Sequence, residues 1–110
     1  MSQQFMRHTT HARLLMAVQS LALGNAPLQS RLNNAGSSLL PLLETDFPED
    51  LQLHFQEIIN ALTSKAAQLE GEGKLESTTR QLSNEEAEHI AERIIDLLDE
   101  ISCVYCSGSF

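Results

Sequence analysis

Apolar residues recur at steps of three and four along most of this chain, which is the spacing that places them on one face of an α-helix. From about residue 4 to residue 23 the face is carried by Ala12, Leu14, Leu15, Val18, Leu21 and Ala22, with His11 beside it, and Gly24-Asn25 end the pattern as a helix C-terminus does. Pro27 suits the first turn of a second helix, whose face is Leu28, Leu32 and Ala35 before Gly36. The stretch "GSSLLPLLETDFPED" fits either a kinked prolongation of that helix or a separate short helix around residues 38–44. A third helix begins near Pro48, with Asp46 and Glu49 at capping-box spacing and Phe47 as the competing cap. It is predicted to run to about Leu69 on Leu51, Phe55, Ile58, Ile59, Leu62, Ala66 and Leu69. Residues 71–82 follow as the longest linker. The last helix opens on the capping box Ser83 and Glu86 and carries Ala87, Ile90, Ile94, Leu97, Ile101 and Val104, with Ile95 and Leu98 widening the stripe.

No segment alternates with period two, and there is no internal repeat. The pattern therefore predicts an all-α fold: one domain over residues 1–110, a bundle of four main antiparallel helices, with the segment around 38–44 as a candidate extra short helix. A length of 110 residues at 42% hydrophobic content suits one core. With four Phe, one Tyr and no Trp, that core must be aliphatic, and stacking platforms for bases or sugars are scarce.

Charge divides the chain in two. All 15 acidic residues lie in residues 44–110, where Lys65, Lys74, Arg80 and Arg93 offset only four of them, while residues 1–43 carry Arg7, Arg13 and Arg31 and no acid. An acid-free, Arg-containing N-terminal segment has the composition of a transit peptide, but its apolar spacing runs on into a core-forming helix, so it is expected to belong to the domain. The net charge of −8 disfavours direct binding to nucleic acid. No apolar run approaches the roughly 20 residues that a membrane span requires, so no membrane association is expected. Two cysteines build no disulfide framework, and a reducing, cytoplasmic setting is the expectation.

The chemistry-bearing residues are few. Cys103 and Cys106 form a Cys-x-x-Cys pair, but at the C-terminal end of a helix beside Asp99 and Glu100, where thiolate is disfavoured, so a redox role is not expected. His8 and His11 have the same spacing at the start of the first helix. In an up-down-up-down bundle the two pairs share one end, so a two-His, two-Cys zinc site from His8, His11, Cys103 and Cys106 is the metal alternative to a reading with no cofactor. Glu86 and His89 have the Glu-x-x-His spacing of di-iron bundles, but no second such motif accompanies them. There is no complete phosphate-binding loop and no nucleophile elbow, and no enzymatic activity is expected.

On the last helix Glu85, Glu88, Glu92, Asp96 and Asp99 follow one another at three- and four-residue steps, so like charges stack on one face and weaken the helix. Glu92, Asp96 and Asp99 are accordingly the candidate partner-binding residues. The expected function is non-enzymatic: a small helical protein acting through protein–protein interaction, as an accessory or regulatory subunit or by self-association into a homo-oligomer. A zinc-stabilised domain and an acidic mimic of nucleic acid are the alternatives. Should the acidic face be only solvated, the apolar run Leu39, Leu40, Leu42 and Leu43 around Pro41 is the other candidate surface.

Overall fold

A computed structural model describes the backbone of residues 2–106 and the side chains of residues 9–102. The described residues are all-helical, with five α-helices and one 3-10 turn and no strand: α1 (Ser2–Ala22), α2 (Leu28–Leu39), the 3-10 turn Glu44–Asp46, α3 (Glu49–Leu62), α4 (Lys74–Gln81) and α5 (Asn84–Cys106). A helical bundle is what the apolar spacing predicted. The count and several boundaries differ from it, each for a physical reason.

The first helix ends where Gly24 takes a φ of +98°, a left-handed conformation that glycine adopts without strain. Arg31 closes that end by donating to the Leu21 carbonyl at 2.6 Å and the Ala26 carbonyl at 2.9 Å, so this cation caps α1 and locks the α1–α2 turn. The second helix does not stop at Gly36 but continues to Leu39. Gly36 is buried and faces α4, where a Cβ would lie 2.6 Å from Leu75 Cδ1. It marks a close approach of two helices rather than a terminus.

Residues 40–43 form no helix of their own. Leu42 N–H returns to the Leu39 carbonyl at 3.0 Å, and Asp46 turns back to accept from Leu43 N–H at 2.8 Å. Asp46 is thus engaged in the 3-10 turn and not in a cap of α3. Nor is Phe47 the cap: Pro48 occupies that position, and Phe47 is buried with its ring 4.4 Å from that of Phe55.

Helix α3 ends at Leu62, a full two turns short of Leu69, and the stretch expected to be a linker contains α4. Both differences have one cause. Ser77 and Thr78 of α4 hydrogen-bond to the backbone of Ala66 and Lys65, at 2.6 Å and 2.9 Å, and hold residues 63–73 as irregular chain along α4. Ala66 and Leu69, apolar positions of the expected helix, are consequently exposed. The buried residues of α4 are Leu75, Ser77, Thr78 and Thr79, a mostly polar set that hydropathy spacing does not register as a core face.

Helix α5 begins as the sequence indicates, with Ser83 N–H donating to Glu86 Oε1 at 2.9 Å and Glu86 N–H to Ser83 Oγ at 3.1 Å. Ser83, chiefly through its backbone N–H, holds the Glu86 carboxyl below its ordinary pKa. Along α5, Ala87, Ile90, Ala91, Ile94, Leu97 and Ile101 are buried. They share one cluster with Leu14, Ala17, Leu32, Leu39, Ile58 and Leu62 from the first three helices. Helix α5 is flanked by two neighbours running antiparallel to it. His54 and Glu57 of α3 pair with Glu100 and Arg93 at 3.1 Å and 2.7 Å, and on the other side His11 of α1 meets Ser102 at 3.1 Å.

Candidate functional site: an acidic ridge beside an apolar groove

With about 3.6 residues per turn, the solvent side of α5 falls into three lines. The line facing α3 holds His89, Arg93 and Glu100, of which Arg93 and Glu100 are paired across the interface. The line facing α1 holds Glu88, Glu92, Ile95, Asp99 and Ser102, spaced by three and four. Asp96 lies between these two lines and, with Glu92 and Asp99 on the adjoining edge of the α1-side line, forms the crest. Glu92, Asp96 and Asp99 are all exposed, and among the described residues none has an ion-pair or hydrogen-bond partner.

Three of the described cations are committed elsewhere. Arg31 caps α1, Arg80 binds Glu72 at 2.8 Å, and Arg93 binds Glu57. Among the described residues, the three ion pairs all lie within residues 44–110, so neither Arg13 nor Arg31 neutralises the acidic part by direct pairing.

Beside the ridge lies a groove of about 310 Å³ between α1 and α5. Its floor is made by buried Leu21 and Ala91, its α1 wall by Val18 and Ala22 with Leu28 at the end, and its α5 wall by Ile95, Glu88 and Glu92. Ile95 is 46% exposed and Leu15, on the same flank of α1 as Val18 and Ala22, is 42% exposed. The apolar strip therefore continues beyond the groove. Sequence reasoning placed α1 as a one-faced helix and missed this second apolar flank. The signal was present in "LLMAVQSLAL", where apolar residues surround the helix instead of keeping to one stripe.

Of the four residues of the zinc alternative, the structure describes the side chain of His11 alone; those of His8, Cys103 and Cys106 lie outside the described residues. His11 Nε2 is 3.1 Å from Ser102 Oγ, which sets the beginning of α1 against the end of α5. Among the described residues no group of three or more His, Cys, Asp or Glu is arranged to hold a metal ion. The apolar run around Pro41 is divided: Leu39 and Leu42 are buried, and Leu40 and Leu43 are exposed at 43% and 65%. It does not form one surface.

A second, more polar cleft of about 470 Å³ separates α2 from α4, between Asn33, Asn34 and Arg80. Of its two charged lining residues, Glu76 and Arg80, the arginine is already engaged outside the cleft. Arg80 and the amides of Gln68 and Leu69 all bind the Glu72 carboxylate, and Arg80 above all pulls its pKa from 4.5 to about 2.

No helix among the described residues is long and apolar enough to cross a membrane. Comparison with protein family models, with curated proteins and with solved structures finds no match to this chain. Its function must therefore be argued from its own surface.

Proposed function

We propose that this chain is a non-catalytic helical interaction module, an accessory or regulatory subunit that receives a basic surface of a partner protein on the ridge Glu92, Asp96 and Asp99, in the cytoplasm. The observation that carries the reading is the unneutralised ridge: three exposed carboxylates with no cation paired to them among the described residues, while Arg31, Arg80 and Arg93 are all engaged elsewhere. Stacked like charges at i, i+4 cost a few tenths of a kcal/mol per pair. A basic partner removes that cost on binding and is drawn in by the field of a chain with net charge −8.

The test is affinity capture from the native host with the natural chain and with the Glu92→Lys, Asp96→Lys, Asp99→Lys triple variant, at low and high salt. Screening lengths of about 8 Å at physiological ionic strength make a ridge-mediated complex salt-sensitive. A partner lost from the folded variant, and weakened by salt in the natural chain, supports the reading. Capture that is unchanged in both respects removes it.

A second reading, a zinc-stabilised domain using His8, His11, Cys103 and Cys106, draws on the contact of His11 with Ser102, the residue before Cys103. That contact supports it by bringing the beginning of α1 to the end of α5, the two helix ends on which the pairs are carried in sequence.

A further inference from the structure

The groove beside the ridge has two walls of different chemistry. On α1, Leu15, Val18 and Ala22 recur at steps of three and four and are apolar. On α5, Glu88 and Glu92 line the groove with Ile95, and Asp99 continues that acidic line one turn beyond it. All three carboxylates are exposed, and among the described residues none is paired. Matching such a pair of walls requires one side that is apolar and another that is cationic, both repeating every three to four residues.

We infer that this groove is the seat of a basic amphipathic helix from the partner protein. This rests on the interaction-module reading and says what part of the partner is bound. The helix would lie between α1 and α5 with Leu, Ile or Phe side chains entering between Val18 and Ile95, and with Lys or Arg at three- to four-residue spacing against Glu88, Glu92 and Asp99. From residue 88 to residue 99 the acidic wall extends over about three helical turns, so a short helical segment suffices to engage it. Charge complementarity decides this occupant over a second copy. Two copies meeting along their α5 walls would oppose carboxylates with carboxylates, and like charges held together at an interface disfavour it.

The probe is a synthetic 18-residue Leu/Lys peptide of helical amphipathic spacing, titrated against the full chain by fluorescence polarisation. A composition-matched peptide with scrambled spacing and a Leu/Glu peptide of the same spacing are the controls. Saturable micromolar binding of the amphipathic Leu/Lys peptide alone is expected. Ile95→Asp, which alters an exposed residue and should leave the fold intact by circular dichroism, and Glu88→Lys should each weaken it by about ten-fold or more. Asp96→Lys, on the side of the crest toward α3, should change it much less. Equal binding of the scrambled peptide, or no binding of the Leu/Lys peptide, overturns the inference. So does loss of binding in Asp96→Lys with no effect of Ile95→Asp or Glu88→Lys; the ridge reading would survive that result. If sedimentation shows a stable dimer that Ile95→Asp converts to monomer, the groove belongs to a second copy and the inference is likewise overturned. Failure of the ridge reading is read separately, in the capture experiment with the triple variant.

Discussion

Leu75 of α4 occupies the space a side chain at Gly36 of α2 would need, its Cδ1 atom 2.6 Å from where the Cβ would stand. Gly36→Leu is therefore expected to force α4 away from α2 at a cost of about 1–3 kcal/mol. In Gly36→Ala the displaced atom is the end of a flexible side chain, and the gain of about 1 kcal/mol in helix propensity offsets its movement. Chemical denaturation of the two variants checks this. A Gly36→Leu protein as stable as the natural one would contradict the close approach.

Adjacent residues on α5 should respond in opposite ways to the same truncation. Ile94 is fully buried and Ile95 is 46% exposed. Ile94→Ala, like Leu97→Ala, is expected to cost about 2–5 kcal/mol. Ile95→Ala and Glu88→Ala should fall within about 0.5 kcal/mol of the natural chain, as surface changes usually do. Denaturant midpoints that do not separate the two isoleucines would refute the assignment of faces.

The pairing of Glu72 with Arg80 sets an acid-dependent contribution to stability. Because the folded state lowers the Glu72 pKa from 4.5 to about 2, the folded form binds this proton less readily than the unfolded chain. Its contribution is complete above pH 4.5 and is lost as the pH falls toward 2. Glu72→Gln should lower stability at neutral pH and reduce the loss between those limits. Thermal melts of both proteins across that window measure it, and parallel curves would remove Glu72 from the acid response.

Metal content separates the two readings of the bundle end. Protein purified without added metal is expected to contain no stoichiometric zinc. Elemental analysis giving near one zinc per chain, abolished by Cys103→Ser or His11→Ala, would establish the zinc-stabilised reading instead.

Where apolar residues alone decided the structure, the sequence was a sufficient guide. Ile94, Leu97, Phe55 and Ile58 are buried as their spacing requires, and the Ser83–Glu86 capping box forms at the start of α5. The errors fall where hydrogen bonds or close packing outweighed that spacing. "TSKAAQL" reads as helix until Ser77 and Thr78 engage its backbone, and those hydroxyls belong to a segment that periodicity leaves as linker. Gly36 leaves the end of the second helix open until its neighbour across the interface is known. At the site, the exposure of Glu92, Asp96 and Asp99 followed from helical spacing. The apolar wall beside them did not, because it needs the relative placement of α1 and α5, which no local pattern encodes.

The clasp of α4 on residues 63–73 has a kinetic consequence. Lys65 N–H is held by Thr78 of α4, and Gln68 and Leu69 N–H by Glu72 of the same stretch, whose carboxylate is gripped by Arg80 of α4, so these amides owe their protection to side chains and not to a helix of their own. Release of α4 exposes them at once to solvent, while α1 and α5 keep their own ladders. In native-state hydrogen exchange the three amides should therefore share one opening free energy with the amides of α4, below that of α5, and behave as a single cooperative unit that can undock from an otherwise folded bundle.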